Sequence, residues 1–148
     1  MSESRRQRGD GKSDIYSAPE ILMNRVGVDF RADYFSLAAV CFETLTLQPP
    51  YDGLGGRAGL PQYENERDSL YLAPSQLSRE QDKVARHLWT SIDSLFAVSL
   101  SLEPNARHKN GNDWLAEWDR VVEQIQSKAS SSLGSKLLTS LINWIDRR

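Results

Sequence analysis

Apolar side chains recur at helical spacing in several segments of this sequence, and no segment alternates convincingly between apolar and polar residues as a strand would. The strongest helix prediction covers residues 31–46, where apolar positions lie on nearly every face. A helix that is apolar all round is normally buried all round, so we expect it at the centre of the fold. Residues 76–102 and 113–127 predict further helices, the latter with Trp114 and Trp118 as core anchors. The pattern predicts an all-α protein.

Local signals add detail between these helices. Pro19 suits the first turn of a short helix, and Glu20 beside it suits the positive end of the helix dipole. Ser78 and Gln81 have the spacing of a capping box, which predicts a helix start there. Residues 51–62 are rich in glycine but lack the Gly-Lys-Ser/Thr ending of a phosphate-binding loop. We interpret them as a flexible connection.

Both ends of the chain differ from its middle. Residues 1–14 are basic and polar, which is typical of a flexible arm, and they are also compatible with the remnant of an activation loop. Residues 128–148 begin with a serine-rich linker and end in a predicted amphipathic helix at about 136–146. Its apolar stripe consists of Leu137, Leu138, Leu141, Ile142 and Ile145. We expect this extra helix to pack on the rest of the chain, and docking on a partner or on a membrane surface is the alternative.

Composition narrows the classes of function. The 148 residues hold 18 lysines and arginines against 20 aspartates and glutamates, for a formal net charge of −2. Because the charges nearly balance, we expect no general electrostatic attraction to nucleic acid or anionic lipid. Cys41 is the single cysteine, which excludes an intramolecular disulfide and a cysteine-based zinc site. There is no secretory pattern and no apolar run of about 18 residues, so we expect no membrane span and a cytoplasmic location.

Three segments carry recognisable motifs in a fixed order. Residues 16–22 read YSAPEIL. Residues 33–51 begin DYFSLA, continue through FETLT and end in PPY, and residues 102–107 read LEPNAR. In this order and spacing the segments resemble the protein kinase family of the Ser/Thr type. The resemblance covers about residues 9–127 and implies a partial, helical C-terminal lobe at 15–127, from the end of the activation segment onward.

The resemblance implies structural roles for three residues. Glu20 matches the glutamate of the family's Ala-Pro-Glu motif, and Arg107 matches its late arginine. In kinases these two form a buried ion pair that anchors the activation segment to the lobe, and the planar fork of arginine suits a buried carboxylate. Asp33 matches an aspartate that accepts backbone hydrogen bonds from the catalytic loop. Independently of the resemblance, the helix dipole favours a carboxylate in the first turn of a helix.

The resemblance also implies a substrate-binding segment. Ser13 matches the hydroxyl residue that helps position the catalytic aspartate of an active kinase, although an ordinary loop serine is the alternative. Together with Tyr16, Ala18 and Pro19 it would form the pocket for the substrate residue that follows the phosphorylated one.

The catalytic half of a kinase has no counterpart in this sequence. Phosphoryl transfer needs a phosphate cradle, a lysine, metal-binding carboxylates and an aspartate that orients the hydroxyl. No Val-Ala-x-Lys pattern or His-Arg-Asp-type loop is present. The sequence Asp29-Phe30-Arg31 is similar to the Asp-Phe-Gly motif, but in a kinase that motif precedes Ala-Pro-Glu, whereas here it follows it. We therefore interpret Phe30 as a packing residue. We therefore predict no catalytic residue, metal ligand or cofactor in this chain. ATP and Mg²⁺ would bind only in a complete kinase domain.

Three functions stay open. The chain is either the C-lobe portion of a Ser/Thr kinase, inactive by itself, or a pseudokinase-type or split-kinase module that acts through a partner. In both cases a protein partner or the missing kinase half would cover the central helix, and the uncovered helix would favour self-association. An unrelated helical adaptor is the third possibility.

Overall fold

The computed structural model describes residues 13–129 and 142–143. Within that part of the chain the regular elements are helices and none is a strand, which confirms the all-α prediction. The α-helices are α1 (Pro19–Leu22), α2 (Arg31–Thr46), α3 (Arg67–Leu70), α4 (Pro74–Leu77), α5 (Arg86–Ser99) and α6 (Gly111–Ala129). Short 3₁₀ turns lie at Ser13–Ile15, Gly55–Gly59, Pro61–Tyr63, Gln81–Lys83 and Pro104–Ala106.

Two sequence predictions concern the ends of the chain. The basic arm at 1–14 lies almost wholly outside the described residues, and so does most of the linker and terminal helix at 128–148. Residues 142–143 are helical and exposed. The packing of the terminal helix on the rest of the chain stays a prediction.

Helix α2 lies against the core along one side. The side chains that it buries are Ala32, Phe35, Ala38, Ala39, Phe42 and Thr46. It ends where Leu47 turns into the left-handed conformation, with its N–H donating to the carbonyl of Glu43 at 2.7 Å. Pro49 follows, and a proline so close to a helix end prevents its continuation.

The prediction that α2 is buried all round is wrong for this part of the chain. Leu37 is 49% exposed and Val40 is 42% exposed, on the side opposite to the core. The all-round apolar pattern predicts neighbours on every side. The described segments supply such neighbours on one side of α2.

Helices α5 and α6 complete the core. Phe96 of α5 meets Phe42 of α2 edge to face, with ring centroids 5.6 Å apart. Trp118 of α6 packs on Phe96 at 5.5 Å, and Trp114 stacks on Tyr34 of α2 at 4.8 Å. Such offset and perpendicular contacts are the preferred geometries of aromatic pairs. Both tryptophans are therefore core anchors, as their helical spacing predicted.

The predicted capping box is absent. Helix α5 begins at Arg86, whereas Gln81 lies in a 3₁₀ turn before it. The Ser78 hydroxyl instead accepts a hydrogen bond from the N–H of Glu80 at 3.2 Å. The capping-box pattern is short, and a serine also closes local turns of this kind, so the pattern alone does not locate a helix start.

Candidate functional site

A buried ion pair joins the beginning of the described chain to its later part. Both guanidinium nitrogens of Arg107 reach the Glu20 carboxylate, at 2.7 Å to Oε1 and 3.0 Å to Oε2. The two residues are 87 positions apart in sequence. Glu20 is 4% exposed and Arg107 is 3% exposed. The contact that the kinase resemblance implies between them is present, with the two-pronged geometry that only arginine offers.

Arg107 also binds two other segments. Its Nε donates to the carbonyl of Ser101 at 2.7 Å, and Nη1 donates to the carbonyl of Arg31 at 3.0 Å. The guanidinium carbon lies 4.9 Å from the ring centre of Phe35. One cation thus ties α1 to the start of α2 and to the turn after α5. We call Glu20, Arg107 and these contacts the anchor.

Two further charged residues, Arg31 and Asp29, lie next to the anchor. Arg31 pairs with Asp29 at 2.8 Å and donates to the side-chain oxygen of Asn105 at 2.9 Å. The Asp29 carboxylate accepts hydrogen bonds from the side chain and the backbone N–H of Arg31, and these lower its pKa. Asp29 therefore helps to start α2, which is a structural use of the Asp-Phe-Arg sequence. Phe30 packs on Tyr34 with ring centroids 5.5 Å apart, as a packing residue should.

The predicted substrate segment leads into α1 and lies on the glycine-rich stretch. A Cβ atom on Gly55 would overlap the carbonyl oxygen of Ile15, and one on Gly56 would overlap that of Ser17. The backbones can approach this closely only because both residues lack a side chain. The expectation of a flexible connection is therefore wrong here, since the stretch forms a 3₁₀ turn whose glycines are buried. Glycine content signals mobility or close packing equally well.

The side chains of this segment are oriented by the core. Ala18 and Pro19 are fully buried. The Tyr16 hydroxyl donates to the Glu43 carboxylate of α2, and this hydrogen bond raises the pKa of Tyr16. The side chain of Ser13 lies outside the described part. The structure thus brings the segment next to the anchor, and its role in binding a substrate stays a prediction.

Asp33 lies apart from the anchor, in the first turn of α2. Its side chain is exposed. Among the described residues no group donates a hydrogen bond to its carboxylate or pairs with it. Acceptance of hydrogen bonds from a catalytic loop therefore also stays a prediction for this residue.

Sequence reasoning missed several groups that build this region. Nothing next to Glu43 or to the carbonyls of Ser101 and Arg31 indicates which groups they contact, because their partners are distant in sequence. The Gly55–Gly59 turn does carry a signal, its glycine content, but glycine-rich composition is equally typical of a mobile loop.

A surface pocket lies elsewhere in the described part of the chain. It measures about 400 Å³ and lies between α4 and α5, with Ser75, Trp89 and Asp93 in its wall. Asp93 accepts hydrogen bonds from the backbone N–H and the hydroxyl of Ser75, at 3.0 and 2.6 Å. The pocket contains none of the predicted site residues.

Two further observations apply to the described residues only. Their acidic, histidine and cysteine side chains form no group of three that could hold a metal ion. None of their helices combines the length and the apolar character needed to cross a lipid bilayer.

Comparison with known proteins adds a short sequence similarity. Over 38 residues, 26% of this chain, the sequence is 53% identical to two sets of forms of cGMP-dependent protein kinase, isozyme 2, from Drosophila melanogaster. The matched stretch covers 4% of the length of one set of forms and 3% of the other. No family model matches the chain, and no solved structure matches it. About a quarter of the chain is therefore similar to a protein kinase.

Proposed function

We propose that this chain is the C-terminal-lobe portion of a Ser/Thr protein kinase. In the complete domain the activity would be phosphoryl transfer from ATP to a protein. The observation that carries the proposal is the anchor, because Glu20 and Arg107 belong to two of the three kinase-like motifs and meet as a buried pair. The short similarity to cGMP-dependent protein kinase supports the same class.

Under this proposal the chain positions the substrate segment, and it contributes no group that takes part in phosphoryl transfer itself. Phosphoryl transfer depends on a lysine, metal-bound carboxylates and a phosphate cradle. No motif for binding ATP or Mg²⁺ occurs in the sequence, so the proposal assigns neither group to this chain. Ser13, Tyr16, Ala18 and Pro19 would shape the substrate pocket only after the missing half is added.

A second candidate is a pseudokinase-type or split-kinase binding module. The exposed apolar side of α2, with Leu37 and Val40, favours it. The Asp33 carboxylate on the same side, unpaired among the described residues, supports it further, because a partner segment could supply backbone donors there. In this case the partner would be a protein that carries the missing half.

The proposal is tested on the native protein that carries this sequence, purified from its source cells. We expect a mass well above the 16.7 kDa of this chain and transfer of phosphate from ATP to a protein substrate. Asp33→Asn should lower the transfer rate by about tenfold or more if it orients a catalytic loop. Asp119→Asn, at an exposed position of α6, is the matched control and should leave the rate unchanged.

Two outcomes would contradict the first candidate. One is micromolar binding of Mg·ATP by the isolated chain in a calorimetric titration. The other is a native mass near 16.7 kDa together with no phosphoryl transfer, which would favour the binding module.

A further inference from the structure

The pocket between α4 and α5 is formed by one local stretch of the chain. In the described part of the chain its wall consists of residues between positions 75 and 93, so none of it comes from α1, α2 or α6. Its shape therefore does not depend on the exposed side of α2. Its volume of about 400 Å³ is at the lower end of the range for pockets that bind ligands.

A carboxylate without a cation lies in this wall. Asp93 is half-buried, and it accepts hydrogen bonds from the N–H of Ser75 at 3.0 Å to Oδ1 and from the Ser75 hydroxyl at 2.6 Å to Oδ2. Among the described residues no cation forms an ion pair with it. A half-buried carboxylate has lost part of its hydration, and a nearby positive charge compensates for that loss. The wall therefore favours a ligand with a cationic group.

The hydrogen bonds of Asp93 also select the kind of cation. A carboxylate has about four acceptor positions, two on each oxygen. Ser75 uses one position on each oxygen, so one on each oxygen stays open. A guanidinium donates two parallel N–H groups to the two oxygens of one carboxylate, whereas an ammonium group acts as a point charge. The open positions therefore match arginine better than lysine.

The apolar part of the wall fits the stem of an arginine side chain. Val84 and Trp89 both line the pocket. The indole N–H of Trp89 already donates to the carbonyl of Gln81 at 3.0 Å, so the indole adds apolar surface rather than a free donor. The methylene groups of arginine pack on surfaces of this kind while the charged end stays in polar surroundings.

A second charge in the wall sets the direction of the ligand. Arg86 is the first residue of α5 and lies seven positions before Asp93, which is about 10 Å along a helix. Arg86 and the positive end of the helix dipole favour an acidic group at this end of the pocket. Alternate residues of an extended peptide point to the same side and are about 7 Å apart. Long side chains cover the remaining distance.

We infer that this pocket binds an extended segment of a partner protein in which an arginine and an acidic residue are two positions apart. The guanidinium pairs with Asp93, its stem packs on Val84 and Trp89, and the acidic side chain faces Arg86. The inference goes beyond the proposed function, because the pocket contains none of the kinase-like residues.

An NMR titration of the ¹⁵N-labelled full chain with the peptide acetyl-Ala-Arg-Ala-Glu-Ala-amide tests the inference. We expect the indole N–H signal of Trp89 to shift until it saturates, while the signals of Trp114 and Trp118 on α6 stay in place. Replacing each tryptophan in turn with phenylalanine assigns the signals. The contact area is small and one side of the pocket is open to solvent, so the Kd should be about 0.1–1 mM.

Matched peptides separate the contributions of the two ligand charges. Glutamine in place of arginine should raise the Kd by about tenfold or more, and lysine in its place by about threefold. Glutamine in place of glutamate should have a smaller effect, because Arg86 is exposed and its charge is screened by salt. Equal Kd values for the arginine and glutamine peptides would overturn the inference, and equal values for arginine and lysine would overturn the choice of a guanidinium.

Variants of the chain test the pocket itself. Asp93→Asn removes the charge and should raise the Kd by about tenfold or more, whereas Asp119→Asn, at an exposed position of α6, is the matched control and should leave it unchanged. Val84→Lys leaves Asp93 and Ser75 in place and adds a competing ammonium group, so it should abolish the shift of the Trp89 signal.

Two results would refute the inference. One is a wild-type chain whose Trp89 signal shows no saturable shift, and the other is an unchanged Kd in both Asp93→Asn and Val84→Lys. The kinase assay on the native protein is independent of these results, so either proposal can fail alone.

Discussion

Removing one partner of the Glu20–Arg107 pair should destabilise the chain strongly. Glu20→Ala leaves the Arg107 guanidinium almost fully buried without its carboxylate. Breaking a buried ion pair from one side costs about 3–5 kcal/mol. A chain of this length is expected to be stable by only about 5–15 kcal/mol in total. The variant should therefore unfold at a much lower urea concentration than the wild-type chain, or be unfolded at the outset.

Arg107→Ala should cost at least as much as Glu20→Ala. It removes the pair, the hydrogen bonds to the carbonyls of Ser101 and Arg31, and the contact with Phe35. Arg107→Lys keeps the charge but not the two-pronged fork. Its free energy of unfolding should therefore lie between those of the wild-type chain and Arg107→Ala.

Urea denaturation of the single variants and of the double variant Glu20→Ala/Arg107→Ala gives the coupling energy directly. Residues in direct contact couple by about 0.5–3 kcal/mol. Glu117→Ala, which breaks the part-exposed surface pair with Arg120, is the control and should change stability by at most about 1 kcal/mol. Additive losses for Glu20 and Arg107, or a Glu20→Ala loss no larger than that of the control, would refute this account of the anchor.

Three further predictions concern other parts of the chain. Gly56→Ala should lower the free energy of unfolding, measured in urea, more than Gly53→Ala does. A Cβ atom at position 56 would overlap backbone atoms, whereas one at position 53 has open space and is strained only by the positive φ of that residue. Equal losses would contradict the close approach. Because Arg31 lowers the pKa of Asp29 below its ordinary 3.8, the stability from this pair is present above that pH and is lost as the pH falls further. Asp29→Asn should remove this part of the acid dependence of the urea midpoint, and an unchanged pH profile would argue against the pair. Burial raises the pKa of the Cys41 thiol, so iodoacetamide should alkylate it more slowly at pH 8 in the folded chain than in urea; equal rates would show that the thiol is accessible.

Much of the local structure follows from sequence pattern. Helical spacing indicated α2, α5 and α6, and the spacing of Trp114 and Trp118 indicated a core-facing side of α6. These features depend on residues within one or two turns of each other. The predicted capping box at Ser78 failed because a short polar pattern of that kind fits both a helix start and an isolated turn.

The candidate site was predictable only where a motif marked it. Glu20 and Arg107 could be paired through the kinase resemblance, although nothing in their own neighbourhoods connects positions 87 apart. Glu43 lies in the FETLT part of the second motif, but the resemblance implies no role for it, and its contact with Tyr16 depends on α2 lying beside the segment before α1. The glycine-rich composition of this stretch is evident in the sequence, but nothing near Gly55 and Gly56 indicates which backbone they meet.

The pattern along the chain was thus enough to establish that the protein is helical and approximately where its long helices lie, although α5 begins ten residues later than predicted. It also showed which charged residues belong to kinase-like motifs. The three-dimensional arrangement was needed to show that the glycine-rich stretch is a buried turn, that Arg107 binds three segments at once, and that Leu37 and Val40 of α2 face outward. The two kinds of feature differ because helical periodicity is a property of neighbours along the chain, whereas burial and buried charge pairing depend on which distant segments arrive at a surface.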